Sequence, residues 1–409
     1  MITPRKSFDQ GILRRSFKVG GKVMIRTTSI FQKTPMLRTI IILIALSMAT
    51  YAQTHTILYS FTGGTDGWVP SSSLIRDGNG NLYGVTSRGG AYSFGTIFKL
   101  GANGNETVLH SFRGSQGGTN PNSLIGDGKG NFYGTTDDYM SYGAGTVFTF
   151  NPGKNHFRVL HSFVDATEGR YPGGLVRDAN GYLYGTTGAG GAYDSGTVFR
   201  LDATGNITIL YAFTGGADGG HPNGGLTLDA VGNLYGTTSS GGDPGCNFGF
   251  GCGTVFKLDA IGTETVLFSF SDKLDGLYPV GVPLLDRLGN LYGAARAGVQ
   301  NRGIVFQLDT SGTETVLYAF TQKEGGMPGG LIWGEGSNLY GTTAGGTHRQ
   351  GTIFKLNVKM GWYKVLYNFP GGVDGSYPGG LIRDSAGNLY GTTNGGGTYN
   401  QGTIFMVTP

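Results

Sequence analysis

The sequence predicts an all-β fold, a seven-bladed β-propeller built of four-stranded antiparallel blades. Three observations support this prediction. One segment recurs seven times, each copy holds four strand-like stretches, and the two ends of the repeat region carry complementary parts of one copy. A period near 50 residues is typical of propellers, in which each repeat forms one blade.

The repeat is clearest at 378–407, PGGLIRDSAGNLYGTTNGGGTYNQGTIFMV, and a Leu-Tyr-Gly or Phe-Tyr-Gly triplet marks each copy. The triplet tyrosines are Tyr83, Tyr133, Tyr184, Tyr235, Tyr292, Tyr340 and Tyr390, separated by 50, 51, 51, 57, 48 and 50 residues. The predicted repeats are about 70–113, 121–163, 172–213, 222–270, 279–320, 328–369 and 378–407, the last joined by 55–62. We expect residues 53–409 to form one propeller.

Each copy reads as four short strands. In one copy these are 174–178, 182–187, 196–201 and 207–213, all rich in β-branched, Leu or aromatic residues and bounded by Gly, Asn or Asp. Segments such as DANG and DATGN join them, and Asp/Asn-Gly turns supply the positive φ that tight hairpins need.

The phase of the repeat predicts how the chain ends meet. The repeat region begins at 55–61 with the fourth strand type and ends at 402–407 with the third. If the GLIRD-type strand is innermost, strand 55–62 completes the last blade beside 379–407, and no sheet edge stays unpaired. The alternative is an open stack of repeats, which needs terminal caps that the sequence does not show.

The glycine after each triplet tyrosine lies inside a predicted strand. Glycine weakens a strand unless another group approaches its backbone closely. We infer that an aromatic ring of a neighbouring blade packs over each of these glycines.

Residues 1–52 carry no repeat. They hold nine Lys and Arg residues, followed by an apolar run at 39–52. The run is 14 residues long, whereas a membrane-spanning helix needs about 20. This pattern predicts a secretory signal peptide with a long basic region, cleaved after Ala49 or Ala52, and with translation starting at Met1, Met24 or Met36. The alternative is an uncleaved membrane anchor. We expect a secreted or cell-surface protein with no stable membrane span.

The charge balance of the remaining chain argues against nucleic-acid binding. Residues 1–52 hold nine of the 30 Lys and Arg and one of the 26 Asp and Glu, so residues 53–409 hold 21 and 25 and carry a net charge of −4. Nucleic-acid binding needs clustered Lys and Arg. We expect a monomer whose partner is an extracellular glycan or protein.

The two cysteines, Cys246 and Cys252, lie in the copy with the longest spacing. In an exported protein such a pair predicts one disulfide closing a small loop. A metal site is the alternative, but it lacks a second ligand pair.

Two families of loops share one side of the predicted ring, which we call the loop face. One family joins consecutive blades, as at 62–70 and 370–378, and the other joins the second and third strands of a blade, as at 87–95 and 394–402. Loops on a rigid scaffold often bind ligands. The candidate ligand-binding residues are the aromatic and non-repeated polar residues of these loops: Trp68, Tyr92, Asp137, Asp138, Tyr142, Tyr171, Asp194, His221, His348, Arg349 and Tyr399. Tyr193, Tyr278 and Tyr377 are further aromatics there. The alternative is that the rings pack between blades and the polar residues are ordinary solvated loop.

The repeated acids favour structural roles. One set opens the first hairpin of a blade, where Asp bonds its own backbone: Asp77, Asp127, Asp178, Asp229, Asp286 and Asp384. A second set lies between blades and is the better candidate for Ca²⁺: Asp66, Asp218, Asp275 and Asp374. No loop groups several acids at metal-ligand spacing, so we predict no metal and no cofactor. No nucleophile elbow, P-loop, HEXXH or dinucleotide motif is present, and the catalytic residues, if any, are unknown.

The repeat unit of this chain resembles that of a known family. The unit GGLIRDSAGNLYGTTNGGGTYNQGTIFMV, followed in other copies by TVLYSFTGG-DG, is similar to the Gloeo/Verruco (GloVer) tandem repeat of exported bacterial proteins. The resemblance covers about 55–407 and implies an extracellular or surface protein. The family carries no established activity, so no catalytic residue can be transferred. The strand order also resembles NHL-like propellers, as an analogy of fold only.

Three functions are consistent with these observations. The first is a secreted, non-enzymatic binding module for a polysaccharide or surface protein. The second is an extracellular carbohydrate-active enzyme, a lyase or glycosidase, with its acids at the loop face; a glycosidase needs two carboxyls about 5–10 Å apart. The third is a structural component of the envelope.

Overall fold

The computed structural model describes residues 12–19, 22–29 and 53–409, with gaps at 115–116, 139–142, 165–166, 272–273, 299–300 and 322. The chain divides into two compact units, Met1–Ala52 and Gln53–Pro409. In the first unit, Ile12–Val19 pairs antiparallel with Lys22–Ser29. The apolar run 39–52 of the predicted signal peptide lies outside the described residues. Among the described residues, no helix has the length and apolar character needed to cross a membrane.

The second unit is a seven-bladed propeller of antiparallel sheets, as the repeat predicts. We number the blades 1 to 7 from blade 1 at 68–111 and name the strands of a blade, from the axis outward, innermost, second, third and outer. The innermost strands are Trp68–Pro70 with Ile75–Arg76, Pro121–Gly126, Arg170–Arg177, Gly220–Pro222 with Thr227–Leu228, Leu277–Leu285, Pro328–Trp333 and Ser376–Arg383. The second strands are Leu82–Arg88, Phe132–Thr136, Leu183–Ala189, Leu234–Ser240, Leu291–Ala297, Asn338–Thr343 and Leu389–Gly395.

The third strands are Thr96–Leu100, Thr146–Asn151, Thr197–Leu201, Thr254–Leu258, Ile304–Leu308, Thr352–Asn357 and Thr403–Thr408. The outer strands are Glu106–Ser111, His156–Ser162, Ile207–Ala212, Glu264–Ser269, Glu314–Ala319, Tyr363–Asn368 and, for blade 7, Thr54–Ser60. Asn247–Gly249 and Gly372–Asp374 are single-turn 3₁₀ helices that lie in loops.

Blade 7 is built from both ends of the second unit. Thr54–Ser60 pairs antiparallel with Thr403–Thr408, and Thr54 lies opposite Thr408. The backbone N–H of Val69, in blade 1, donates to the carbonyl of Gln401, in blade 7 (3.1 Å). The strand predicted at 55–62 therefore occupies the outer position of the last blade, and blade 7 contacts blade 1.

The innermost strands approach one another closely because they are rich in glycine. A Cβ added to Gly174 of blade 3 would lie 3.1 Å from the Cα of Gly225 in blade 4. Similarly, a Cβ on Gly281 of blade 5 would lie 3.1 Å from the Cα of Gly330 in blade 6. These backbone contacts confirm that the GLIRD-type strand lies nearest the axis.

The hydrophobic core lies between blades. The phenylalanine that directly follows each outer strand packs edge-on against the third-strand phenylalanine of the next blade, with ring centroids 5.0 to 5.3 Å apart. The seven pairs are Phe61–Phe98, Phe112–Phe148, Phe163–Phe199, Phe213–Phe256, Phe270–Phe306, Phe320–Phe354 and Phe369–Phe405. Burying one such side chain contributes about 1.5–3 kcal/mol, so these contacts stabilise every blade interface.

The prediction for the glycine after each triplet tyrosine was wrong about which blade supplies the ring. Gly84 lies directly opposite Phe98 of its own third strand. A Cβ on Gly84 would lie 2.6 Å from Cζ of Phe98. The ring covers its cross-strand partner because glycine leaves that space empty, and the neighbouring blade's Phe61 then packs on the edge of Phe98.

Candidate functional site

The two predicted loop families do lie on one side of the propeller. Strand order and antiparallel pairing place the interblade loops and the loops between second and third strands at the same end of every blade. The two other turns of each blade lie at the opposite end, which we call the hairpin face.

Seven residues at the loop face adopt a left-handed backbone conformation directly before the first proline of each repeat. They are Val69, Asn120, Tyr171, His221, Tyr278, Met327 and Tyr377, with φ between 50° and 60°. Each N–H donates to a carbonyl of the preceding blade, for example Tyr171 to Ala144 (2.9 Å) and His221 to Ser195 (2.7 Å). Non-glycine residues pay a conformational cost there. The interblade hydrogen bond offsets that cost, and the side chain remains free to vary.

A second position in each blade faces these seven residues. It is the residue directly after the last second-strand residue that pairs with the third strand, such as Thr238 in blade 4. In blade 4 the Ser239 hydroxyl donates to the carbonyl of His221 (2.9 Å). In blade 2 the N–H of Asp137 donates to the carbonyl of Asn120 (3.3 Å). The seven residues at this second position are Ser87, Asp137, Gly188, Ser239, Arg296, Ala344 and Asn394. Together the two positions form the inner rim of the loop face.

The inner rim is chemically mixed. It carries the side chains of Tyr171, Tyr278 and Tyr377, the basic side chain of Arg296, which is exposed, and the carboxylate of Asp137. Sequence analysis singled out Tyr171, His221 and Asp137 but missed Asn120, Met327 and Arg296. The residue before the first proline of each repeat was the signal that would have identified Asn120 and Met327.

The outer rim is formed by the loops between second and third strands and is aromatic. The exposed fractions are 45% for Tyr92, 61% for Tyr193 and 55% for Tyr399. Phe248 and Phe250 of blade 4 are 100% and 72% exposed. These rings therefore do not pack down between blades.

Other loop-face aromatics are partly covered. Trp68, Tyr171 and Tyr278 are half-buried. The Arg88 guanidinium lies over the Trp68 ring, 5.1 Å from its centroid, and Arg113 lies at the same distance from Tyr92. These pairs hold planar cations beside aromatic faces.

The candidate acids of the loop face differ in environment. Asp138 has φ 49° and accepts a hydrogen bond from the backbone N–H of Thr119. Burial raises the pKa of Asp138. Asp194 is exposed and accepts from Arg170 (2.5 Å) and from the N–H of Gly190 (3.0 Å). The Arg170 hydrogen bond lowers the pKa of Asp194, which therefore stays ionised and braces its loop.

Three of the remaining candidates are His221, His348 and Arg349. His348 and Arg349 are exposed in the blade 6 loop, where the N–H of Arg349 donates to the carbonyl of Gly346 (3.1 Å). Electrostatic interaction with His221 of blade 4 is one of the causes that lower the pKa of Asp194, and the His221 Nδ1 lies 2.9 Å from the Ser240 hydroxyl. Tyr142 lies outside the described residues.

The interblade acids hold their own loops. Asp66 accepts hydrogen bonds from the N–H and hydroxyl of Thr62 (2.7 and 2.6 Å) and from the Tyr59 hydroxyl (3.0 Å). Asp218 is bonded in the same way by Tyr211 and Thr214. Their carboxylate oxygens serve as loop anchors. Over the described part of the chain, no group of three or more His, Cys, Asp or Glu side chains is placed to hold a metal ion.

The acids that open the first hairpins have the predicted turn role. Asp77 accepts from the N–H groups of Asn79 and Asn81, from the Asn81 amide and from the Tyr83 hydroxyl. Burial opposes ionisation, but these bonds, from Asn81 above all, lower the pKa of Asp77. The network ties the turn to the second strand.

Cys246 and Cys252 form the predicted disulfide, with their Cα atoms 5.7 Å apart. Both side chains are buried, in a cluster that includes Phe270. The disulfide links the two ends of the segment that carries Phe248 and Phe250, and so it stabilises the loop that presents these exposed rings.

Similarity to solved structures bears on the fold alone, and that support rests on the first structure named below. An oligogalacturonate lyase in complex with manganese is similar at 12% identity, over 88% of this chain and 94% of that chain, with a TM-score of 0.56. A gluconolactonase from Xanthomonas campestris is similar at 16% identity, over 74% and 90%, with a TM-score of 0.43. The nidogen/laminin complex is similar at 14% identity, over 71% and 92%, with a TM-score of 0.45.

Comparison of the sequence is more specific. No curated protein matches the chain. The profile of the Gloeobacter/Verrucomicrobia repeat matches residues 44–249 and 245–409, which together include the whole propeller. The chain therefore belongs to the Gloeobacter/Verrucomicrobia repeat family.

Proposed function

We propose that this chain is a secreted or cell-surface module that binds a polysaccharide at the loop face without catalysing a reaction on it. The observation that carries the proposal is the exposure of aromatic rings in the loops of four blades, from Tyr92 in blade 1 to Tyr399 in blade 7. Sugar rings present an apolar face to aromatic side chains and hydroxyl groups to polar ones.

The inner rim supplies the polar half of such a site. Asn120, Asp137 and Arg296 can donate to or accept from hydroxyl groups, while Tyr171 and Tyr377 offer ring faces beside them. The blades repeat the scaffold but vary these side chains, which is the arrangement expected of a binding surface on a rigid frame.

Export is part of the proposal. The resemblance to exported repeat proteins, the basic and apolar character of residues 1–52 and the disulfide support an extracellular location. Cell fractionation of the producing bacterium, with mass spectrometry of the mature N-terminus, tests it. Protein retained in the cytoplasm with residues 1–52 intact would contradict export.

A glycan array of neutral and acidic polysaccharides tests binding. We expect the double variant Tyr193→Ala/Tyr399→Ala to bind the polysaccharide at least about tenfold more weakly. The reason is that packing of a sugar ring on an aromatic ring contributes on the order of 1 kcal/mol or more to the binding free energy. The matched control is Trp362→Ala, which removes an exposed ring (38%) from the hairpin face. Unchanged binding by the double variant, or binding only to protein ligands, would contradict a loop-face polysaccharide site.

A second candidate function is a carbohydrate-active enzyme, favoured by Asp138. Burial raises its pKa, as expected of a general acid, and Asp137 is its neighbour in sequence. Incubation with a polysaccharide panel tests this function by release of unsaturated or reducing products. Release that is lost in Asp138→Asn would establish the enzyme in place of the binding module.

A further inference from the structure

The hairpin face carries a cleft between blades 2 and 3 with an unbalanced charge. The cleft has a volume of about 350 Å³ and is lined by Lys154, His156, Arg158, Arg177 and Asp202, with asparagines around them. Its volume lies within the range of small-ligand sites, about 300–1,000 Å³. Three of its side chains are Lys or Arg and one is a carboxylate.

The single acid is committed to its own turn. Asp202 accepts the hydroxyl (2.6 Å) and N–H (2.9 Å) of Thr204 and the N–H (2.9 Å) and amide (3.0 Å) of Asn206. These bonds, led by the Thr204 hydroxyl, lower the pKa of Asp202. Among the described residues, Lys154, Arg158 and Arg177 make no ion pair within 4 Å.

An equivalent arginine in blade 7 has an ion pair that Arg177 lacks, whereas Arg76 of blade 1, like Arg177, has none among the described residues and lies over a tyrosine ring. Arg383 of blade 7 holds the same strand position as Arg177 and forms an ion pair with Glu335 of blade 6, at 2.7 Å. Gly128 stands at the position of Glu335 in blade 2. Arg177 instead lies over the Tyr133 ring, 5.7 Å from its centroid, and its charge is one of the causes that lower the pKa of Asp127. The Nε of Arg177 is buried without a hydrogen-bond partner, as is the Nε of Arg383.

The other two cations come from blade 2. Arg158 occupies an outer-strand position that is threonine in blades 1, 3, 4, 5 and 7 and Lys364 in blade 6. One Nη of Arg158 donates to the carbonyl of Ala203 across the cleft (3.1 Å), which leaves its remaining N–H groups for another partner. Lys154 is exposed at the tip of the adjoining hairpin.

We propose that this cleft binds the carboxylate or sulfate group of an acidic sugar. Arginine recognises such oxyanions with paired N–H groups, and three cations around one carboxylate that is bonded within its own turn attract an anion. The exposed Asn180 amide at the edge of the cleft can bond a neighbouring hydroxyl. The anion part of the proposal stands on the cleft alone, whereas the sugar part rests on the proposed polysaccharide function.

Isothermal titration calorimetry at low salt, with glucuronate, glucose 6-sulfate, glucose and inorganic sulfate, tests the proposal on the chain beginning at Gln53. We expect binding of either or both sugar acids and none of glucose. Lys154→Gln/Arg158→Gln, whose side chains are exposed, should weaken binding at least about tenfold, and Arg177→Gln should do the same. Arg383→Gln is the matched control, because it removes the equivalent arginine from another interface, and it should leave binding unchanged.

Each of the other outcomes contradicts one part of the proposal. No binding of either sugar acid, or binding unchanged in Lys154→Gln/Arg158→Gln, overturns the site. Inorganic sulfate bound as tightly as the sugar acids overturns the sugar assignment. If Tyr193→Ala/Tyr399→Ala abolishes binding of the sugar acids, these acids bind at the loop face and the cleft proposal is wrong. If that variant loses only polysaccharide binding at the loop face, the cleft proposal stands.

Discussion

At the scale of single residues, position within the blade decides what an acidic side chain does. Asp77 closes a turn with a lowered pKa, Asp66 anchors an interblade loop, and burial raises the pKa of Asp138 at the loop face. All three are aspartates near glycines in the sequence. Their hydrogen-bond partners, rather than their spacing, separate structural acids from candidate functional ones.

The triplet glycines give a direct test of packing. Gly341→Ala would place a Cβ 2.6 Å from Cζ of Phe354. Because Phe354 is fully buried, its ring cannot move aside freely. We expect a loss of about 1–3 kcal/mol in the free energy of unfolding, measured by urea denaturation. The control is Gly78→Ala, where nothing lies within 4 Å of the added carbon; equal effects of the two variants would refute the packing explanation.

Three outer-strand glutamates make stability depend on pH. Burial, and then the charge of Asp66, raises the pKa of Glu106 to about 7, and Glu264 and Glu314 behave alike beside Asp218 and Asp275. Since the folded-state pKa lies above the unfolded value of 4.5, the folded state binds more protons between these values. Stability should therefore fall as pH rises from about 4.5 to about 7.

The triple variant Glu106→Gln/Glu264→Gln/Glu314→Gln isolates this effect. We expect the slope of unfolding free energy between pH 5 and pH 8 to flatten, because the amide carries no charge at either pH. Ile207 shows that the same outer-strand position in blade 3 accepts an uncharged side chain. A slope unchanged by the three substitutions would assign the pH dependence to other groups.

At the scale of the element, each blade joins its second and third strands through a buried polar pair, except one. Thr343 and Thr352 of blade 6 share a hydrogen bond between hydroxyls, at 2.8 Å. In blade 5 the same two positions are Ala295 and Ile304, which are directly opposed and buried. The blade thus tolerates either two hydroxyls or none.

This exchange predicts strong coupling between the two positions. Thr343→Val alone should cost about 1–3 kcal/mol, because the Thr352 hydroxyl loses its buried partner. Thr343→Ala/Thr352→Ile copies blade 5 and should recover most of that loss. A double-mutant cycle by urea denaturation measures the coupling, and simple additivity of the two single substitutions would show that the hydroxyls do not depend on each other.

At the scale of the whole molecule, the two ends of the propeller depend on each other. Thr54–Ser60 supplies the outer strand of blade 7, and Phe61 packs against Phe98 of blade 1 with centroids 5.2 Å apart. Without this segment, the edge of Thr403–Thr408 would be unpaired and the buried Phe98 would lose a ring contact.

A chain that begins at Thr62 should therefore melt at a clearly lower temperature than one that begins at Gln53. The loss of Phe61 alone should contribute about 3–5 kcal/mol, so Phe61→Ala in the longer chain should reproduce a large part of the effect. Differential scanning calorimetry makes the comparison. Equal melting temperatures for the two chains would mean that blade 7 is stable with three strands.

The sequence alone determined the number of blades, the positions of their strands and the place of the chain ends. These follow from turn residues and apolar strands that recur along the chain, and each such signal is local. The roles of the turn acids and the disulfide were predictable for the same reason: Asp77 bonds within its own hairpin, and Cys246 is six residues from Cys252.

Only the tertiary structure decided which side chains meet. It placed Phe98 of the same blade over Gly84 and put the residues before each first proline on the inner rim. It also brought Arg158 and Arg177 to one cleft, where Arg177 lacks the carboxylate that pairs with Arg383. These contacts join blades or opposed strands. They depend on how neighbouring sheets pack and twist, which the order of residues within one repeat does not encode.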